Sequence, residues 1–289
     1  MSPPSPATDA SGRQRIALGV EYDGSNYCGW QRQSHSASVQ EVIEQALSSV
    51  ADEPITVHCA GRTDTGVHAH EQVVHFDTTA NRSERAWVLG SNTRLPDDVS
   101  VLWAKPVADD FHARFSATAR SYRYTICNRW VRPAMWAGRV AWVLKPLDEQ
   151  RMHQAAQCLV GEHDFSSFRA AGCQSRKPVR RVHAVEVYRS GEMIVLEITA
   201  DGFLHHMVRN IVGSLIAIGR ADQPPEWMAE VLAKRQRRFA GITAPAAGLV
   251  FWQAHYPPEW NLPRQDGHSL DHMVSSTRQV LRPDPKSGR

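Results

Sequence analysis

The stretch AGRTDTGVHA at residues 60–69 constrains the fold most, because it sets one carboxylate between two glycines with strand-like sequence on both sides. Before it, Ile55, Val57 and Cys59 alternate with Thr56 and His58; after it, Val74 and Phe76 alternate with Val73 and His75. A period of two belongs to an extended chain with one buried face and argues against a helix here. Asp64 is therefore expected on a loop held between two strands, with Arg62 two positions before it. Polar loops presented by rigid elements are common places for chemistry.

The rest of the chain arranges itself around that loop. Ile16, Leu18, Val20 and Tyr22 alternate as a strand that breaks at Asp23-Gly24. Ser38 followed by Glu41 reads as a capping box, and Val39, Val42, Ile43, Ala46, Leu47 and Val50 fall on one helical face. A helix over 84–92 and a strand over 99–107 complete the order β-α-β-β-α-β, a ferredoxin-like split unit. The pattern restarts at Phe111, with a strand over 120–126 and another near 140–144. A helix follows, capped by Asp148, carrying Met152, Ala155, Ala156 and Leu159 and stopped by Gly161. Then come a hairpin turning at Ser190-Gly191, a helix over 203–218 ended by Gly219, a shorter helix at 227–232 and a strand at 249–255. The expectation is an α+β protein of two ferredoxin-like halves, residues 14–110 and 111–256, with a mixed or antiparallel sheet and a central cleft. Residues 1–13 read as a disordered leader and 257–289 as a loosely ordered tail, from their Pro- and Ser-rich composition.

Charge narrows the partners only through its distribution. Lys and Arg number 33 against 30 acidic residues, so the net +3 does not announce a polyanion. Basic groups cluster, however, at Arg169, Arg176, Lys177, Arg180 and Arg181 and again at Lys234, Arg235, Arg237 and Arg238. Such runs are usually solvated faces, but several in a nearly neutral chain favour a polyanionic partner. Five scattered cysteines with no C-x-x-C spacing argue against a disulfide framework or structural zinc and point to the reducing cytoplasm. Neither a signal-like apolar run nor a membrane-spanning stretch is evident.

Asp64 has a bland reading, since aspartates often serve turns by bonding their own backbone. The functional reading is a carboxylate nucleophile, which must stay ionised; a nearby guanidinium favours the ionised form, and Arg62 and Arg209 are candidates. Arg209 lies in an otherwise apolar helix, where it either snorkels to the surface or faces an acid. Tyr122 and Tyr124 share one face of their strand and serve either as core or as a stacking platform, with Arg120 and Arg123 placed to meet phosphates. A rival reading gathers His58, Asp64, His68, His70 and His75 around a divalent metal, although no H-E-x-x-H spacing is present.

Several separated motifs resemble the tRNA pseudouridine synthases of the TruA type. They are YDG at 22–24 with YCGWQ at 27–31, GRTDTGVHAHEQVVHF at 61–76, FHARFSATARSYRYTI at 111–126, GCQSRKPVRRV at 172–182, DGFLHHMVRNIVG at 201–213 and APAAGLVF at 244–251. The resemblance implies isomerisation of uridine to pseudouridine at positions 38 to 40 of the tRNA anticodon arm, by a homodimer without metal or cofactor. It implies Asp64 as the catalytic aspartate and nucleophile, with addition to the base, attack at C1′ and assistance of glycal formation all open to it, Tyr122 as the tyrosine stacking on the target base, and Arg209 as the basic partner of the aspartate. It also implies that Arg62 enters the RNA stack. Leu249 is expected to contact substrate, and the basic residues Arg120, Arg123, Arg176, Lys177, Arg180 and Arg181 are expected from their charge to form the RNA path. Thr65 departs from the alanine usual in the family. A non-catalytic RNA-binding protein on the same scaffold is the alternative.

Overall fold

The computed structural model describes residues 12–263. The leader expected at 1–13 and the tail expected at 257–289 therefore lie mostly outside the described residues.

The first half runs β1 (Gln14–Tyr22), α1 (Val39–Ala51), β2 (His58–Cys59), β3 (His68–Thr78), α2 (Glu84–Asn92) and β4 (Val99–Val107). The second runs β5 (Ala119–Asn128), β6 (Ala141–Val143), α3 (Glu149–Ala156), β7 (Gly161–Asp164), β8 (Val179–Ser190), β9 (Met193–Ala200), α4 (Met207–Gly219), α5 (Trp227–Lys234) and β10 (Leu249–His255). All ten strands belong to one sheet, ordered β4-β1-β3-β10-β5-β9-β8-β7, with β2 beside β3 and β6 beside β5. The order β4-β1-β3-β2 is repeated by β10-β5-β9-β8, so the second half repeats the split unit with β6, β7 and α5 added. The halves meet where β10 runs parallel to β3, through the pairs Val250 with His68 and Phe251 with Ala69.

The helices form where capping and periodicity agree. Ser38 accepts a hydrogen bond from the Glu41 amide at 3.3 Å, and α1 buries Val39, Ile43, Ala46 and Leu47. Ser83 and Asp148 cap α2 and α3 in the same way. α2 packs on β4 and against α1, while α3 packs on β8 and against α4. Trp30, Trp87, Phe76, Phe111, Phe165, Phe168 and Phe251 fill the interior; each such side chain contributes on the order of 2–3 kcal/mol by leaving water.

The structure departs from the sequence reading in three places. The strand expected to begin at Ile55 is reduced to β2, because the Ile55 amide donates to Ser48 Oγ at 2.8 Å and the Val57 amide to Glu44 Oε1 at 3.1 Å. Side chains of α1 thus take the hydrogen bonds that a ladder would have used. The helix expected from Phe203 starts at Met207, because His206 adopts a left-handed conformation with φ +59°. The chain also stays packed past Pro257: Trp260 meets Phe111 at a ring separation of 5.1 Å.

His75 is 2% exposed on β3, stacked on His58 at 5.1 Å and edge-on to His112 at 4.5 Å, and its Nδ1 accepts from the Ala113 amide. Burial first, then His112, Arg15 and His58, push it down from 6.5 to about 3, while Asp77 acts in the opposite direction. Between those values the unfolded chain binds a proton that the native protein refuses, so stability falls as pH drops through this window, by at most about 1.4 kcal/mol per pH unit. Urea unfolding at pH 7 and pH 5 is expected to show a lower midpoint at pH 5, and His75→Gln is expected to flatten that dependence. An unchanged slope in His75→Gln would remove His75 as its source.

Candidate active site

The loop carrying Asp64 is held at nearly every residue. The Ala60 amide donates to Val73 O at 2.8 Å, and the buried Gln72 side chain brackets Gly61, donating to its carbonyl at 2.6 Å and accepting from its amide at 3.3 Å. Thr63 Oγ1 meets the Tyr22 hydroxyl at 2.7 Å, and Thr63 O accepts from the Trp30 amide at 3.0 Å. Residues 64–67 close a turn in which the Val67 amide donates to Asp64 O at 3.1 Å. Gly66 occupies its third position with φ +74°, a conformation that favours glycine. Beneath the loop lies Gly29, at φ +90°, where an added Cβ would stand 2.7 Å from Thr63 O. The loop thus rests directly on the backbone that follows β1.

The carboxylate of Asp64 is 31% exposed and faces residues of the second half. His205 Nε2 lies 3.4 Å from Oδ1 and His206 Nε2 lies 3.5 Å from Oδ2. Two consecutive histidines reach one carboxylate with His206 in its left-handed conformation, which holds the two rings 4.0 Å apart. Burial pushes His206 below the ordinary histidine value; Asp64 opposes this, and Arg209, His205 and Arg237 add to it. His206 is therefore mainly neutral at pH 7.

Tyr122 pairs with Phe251 across β5 and β10, and its ring sits edge-on to Phe203 at 4.8 Å and to Phe251 at 5.3 Å. Burial and then the Asp64 charge push its phenol far above the usual range, so it keeps its proton. That disfavours the free phenolate as a ready base. Leu249 is buried opposite Tyr124 in the β5–β10 ladder.

Arg209 stands differently from the sequence expectation. Its Nε donates to Ala244 O at 2.8 Å, and among the described residues the side chains that meet the Asp64 carboxylate are those of His205 and His206. The histidines, adjacent in DGFLHHMVRN, were not singled out from sequence; the HH pair just ahead of the helix was the available signal.

The basic residues divide sharply. Arg120 and Arg123, expected on the RNA path, are already occupied. The Arg120 guanidinium donates to the carbonyls of Ala60, Arg114, Ala117 and Asp201. Arg123 is 9% exposed, pairs with Glu197 at 2.6 Å and lies 3.6 Å from the centre of the Trp252 ring. A buried guanidinium needs such partners, since leaving it unmatched costs several kcal/mol. Arg120 therefore ties β5 to the loops around it, and Arg123 joins β5 to β9 and β10. Arg180 is half-buried, with hydrogen bonds to Lys177 O, Val179 O and Ser175 Oγ, and Arg181 pairs with Glu162 at 3.0 Å. Arg176 and Lys177 are exposed on the segment leading into β8, and the exposed Arg62 reaches that segment through Gln174 Oε1 at 3.3 Å. The segment is tied to the site, since the Ala170 amide donates to His205 O at 3.0 Å and the His205 amide to Cys173 Sγ at 3.4 Å.

The histidine set considered from sequence does not converge on Asp64. His58 and His75 stack on each other, His70 stacks on Trp252, and His68 bonds Asp23 and the Gly138 carbonyl.

A family model described as tRNA pseudouridine synthase matches residues 19–116 and 155–257. The chain belongs to the tRNA pseudouridine synthase family. Among similar curated proteins, tRNA pseudouridine synthase A of Hydrogenovibrio crunogenus is 57% identical over 249 residues, covering 86% of this chain and 95% of that protein. The protein of that name from Shigella boydii is 58% identical over 250 residues, covering 86% and 93%. That from Coxiella burnetii is 56% identical over 250 residues, covering 86% and 96%. Asp64 falls in the first matched segment of the synthase, Arg209 and Leu249 in the second, and Tyr122 between them.

Gly29→Ala is expected to lower stability by at least about 1–2 kcal/mol from the left-handed conformation alone, with more from the clash at Thr63 O. Turnover should fall with it, because the displaced atoms adjoin Asp64. Urea unfolding and steady-state rates test this; wild-type values for both would show that the loop does not depend on that contact.

Proposed function

We propose that the chain isomerises uridine to pseudouridine at positions 38, 39 and 40 of the tRNA anticodon stem-loop, with Asp64 as the nucleophile. The observation that carries this reading is a partly exposed carboxylate, on a loop with no slack, whose charge reaches the phenol of Tyr122. In this reading residues 14–110 supply the nucleophile and residues 111–256 the stacking ring and most of the basic groups.

The reaction breaks the C1′–N1 bond, joins C1′ to C5, and moves a proton from C5 while N1 gains one. The target uridine leaves its stack to reach Asp64, at a cost of about a few kcal/mol that stacking and phosphate contacts offset. Tyr122 offers a ring held by Phe203 and Phe251, able to retain the detached uracil. Its protonated phenol serves first as a hydrogen-bond donor. Bonding of Asp64 to substrate removes the carboxylate charge, leaving burial as the main force that holds the phenol proton. In this reading Arg209, four residues after His205 and anchored on Ala244 O, replaces the histidines as the aspartate's partner once RNA enters.

Arg62, Arg176 and Lys177 are exposed cations on the Asp64 loop and on the segment tied to it, and take the phosphates in this reading, with Arg180, Arg181 and Leu249 in supporting positions. The chemistry calls for no cofactor. The proposal extends to a homodimer acting in the cytoplasm; the exposed apolar side chains of Trp130, Val131 and Met135 support a partner surface.

Tritium release from [5-³H]uridine-labelled unmodified tRNA tests the central step. Wild type should release tritium, and Asp64→Asn should release none while binding tRNA as before; release by Asp64→Asn would overturn the assignment. Arg176→Ala with Lys177→Ala should weaken tRNA binding and reduce the slope of log affinity against log salt by about 0.7–0.9 per lost contact. An unchanged slope would take that segment off the RNA path.

A further inference from the structure

We propose that Asp64, His205 and His206 form a binding site for a late first-row divalent cation, with Zn²⁺ as the natural occupant, and that occupancy switches the enzyme off. Neither the family assignment nor the proposed reaction calls for such a site. The inhibitory half of the proposal rests on the role given to Asp64 above; the binding half rests on geometry alone.

The geometry suits a ligand set for one ion. Tetrahedral Zn²⁺ with bonds of about 2.0–2.2 Å places neighbouring ligand atoms about 3.3–3.6 Å apart. The nitrogens of His205 and His206 stand 3.4 Å and 3.5 Å from the two oxygens of Asp64. One ligand atom from each of the three residues lies within 4.8 Å of the others, and a small rotation of His205, whose side chain is 40% exposed, closes the remaining gap. The left-handed φ of His206 has already aimed the two adjacent imidazoles at one point, so little ordering remains to be done on binding.

The donor chemistry selects the ion. Two imidazole nitrogens and one carboxylate oxygen suit Zn²⁺, Ni²⁺, Co²⁺ and Cu²⁺, whereas Mg²⁺ requires oxygen ligands in near-octahedral order. The Mg²⁺ that accompanies tRNA therefore does not compete. Arg209 and Arg237 place positive charge near His206 and oppose a second one at the site. Binding is accordingly reversible by chelators, and weaker than at a closed structural zinc site. A bound ion takes both the charge and the lone pairs of the carboxylate, and a nucleophile so engaged cannot attack.

The experiment is a Co²⁺ titration of the full-length chain, stripped with chelator beforehand, followed by visible absorption. The expected result is a ligand-field band of a four- or five-coordinate ion that saturates at one Co²⁺ per chain. Zn²⁺ should remove it, excess Mg²⁺ should not, and it should be absent from His205→Ala/His206→Ala. No band, or a band that survives in the double variant, overturns the site whatever the tritium assay shows, and leaves the proposed reaction untouched. In the tritium-release assay with Mg²⁺ present, Zn²⁺ should inhibit wild type, and EDTA should restore it. Binding of Co²⁺ together with undiminished release in saturating Zn²⁺ would overturn the inhibitory half and, with it, the requirement for a free Asp64. The double variant need not be active for the test, because the absorption band requires no turnover.

Discussion

The parallel seam between β3 and β10 is the constraint on which the rest depends. β2 is two residues long and covers only the part of the β3 edge around Val74 and His75. The edge at His68 and Ala69 is left for β10, which pairs there and carries β5 with it. The chain leaving β2 has to cross this junction before entering β3, and the crossing segment is the loop with Asp64. Phe251 joins Ala69 on one side and Tyr122 on the other, so the ladder itself fixes how far the carboxylate stands from the ring. A longer β2 would occupy the edge that β10 needs.

Rigidity at the loop is obtained by satisfying its backbone groups internally. Gln72, Tyr22, Trp30 and Tyr27 each hold a group of the loop, and two glycines allow the close approach and the turn. The opposite wall is built another way, with a left-handed non-glycine residue at the start of α4. A residue in that conformation costs about 1–2 kcal/mol, and it persists here because α4 and the segment at 170–173 over-determine its position. Strain of this kind concentrates where geometry serves function, and here it delivers two imidazoles to one carboxylate.

Burial separates the cations engaged inside the protein from those left in solvent. Arg120 donates to carbonyls of the surrounding loops and the buried Arg123 pairs with Glu197, so both are engaged inside the protein. Arg62, Arg176 and Lys177 stand in water near the site, where a phosphate can still gain from them. Sequence proximity to a motif does not distinguish these cases; the depth of the side chain does.

Much of the architecture was legible because periodicity and capping are local. Ser38 and Asp148 mark helix starts from their own side chains, and the alternation in β1 and on either side of the Asp64 loop needs no distant information. The order of elements was enough to foresee two split units, and the motif around Asp64 was enough to place the carboxylate on a loop. Local pattern could not show that Ser48 and Glu44 would claim the amides of Ile55 and Val57, because those bonds depend on where α1 packs. Nor could it tell Arg123 from Arg176, or reveal that His205 and His206, rather than Arg209, would stand against Asp64. Sequence by itself determined which elements form and which residue types are available. Tertiary structure decided which of them meet, because contacts between residues more than a hundred positions apart are set by strand pairing across the seam.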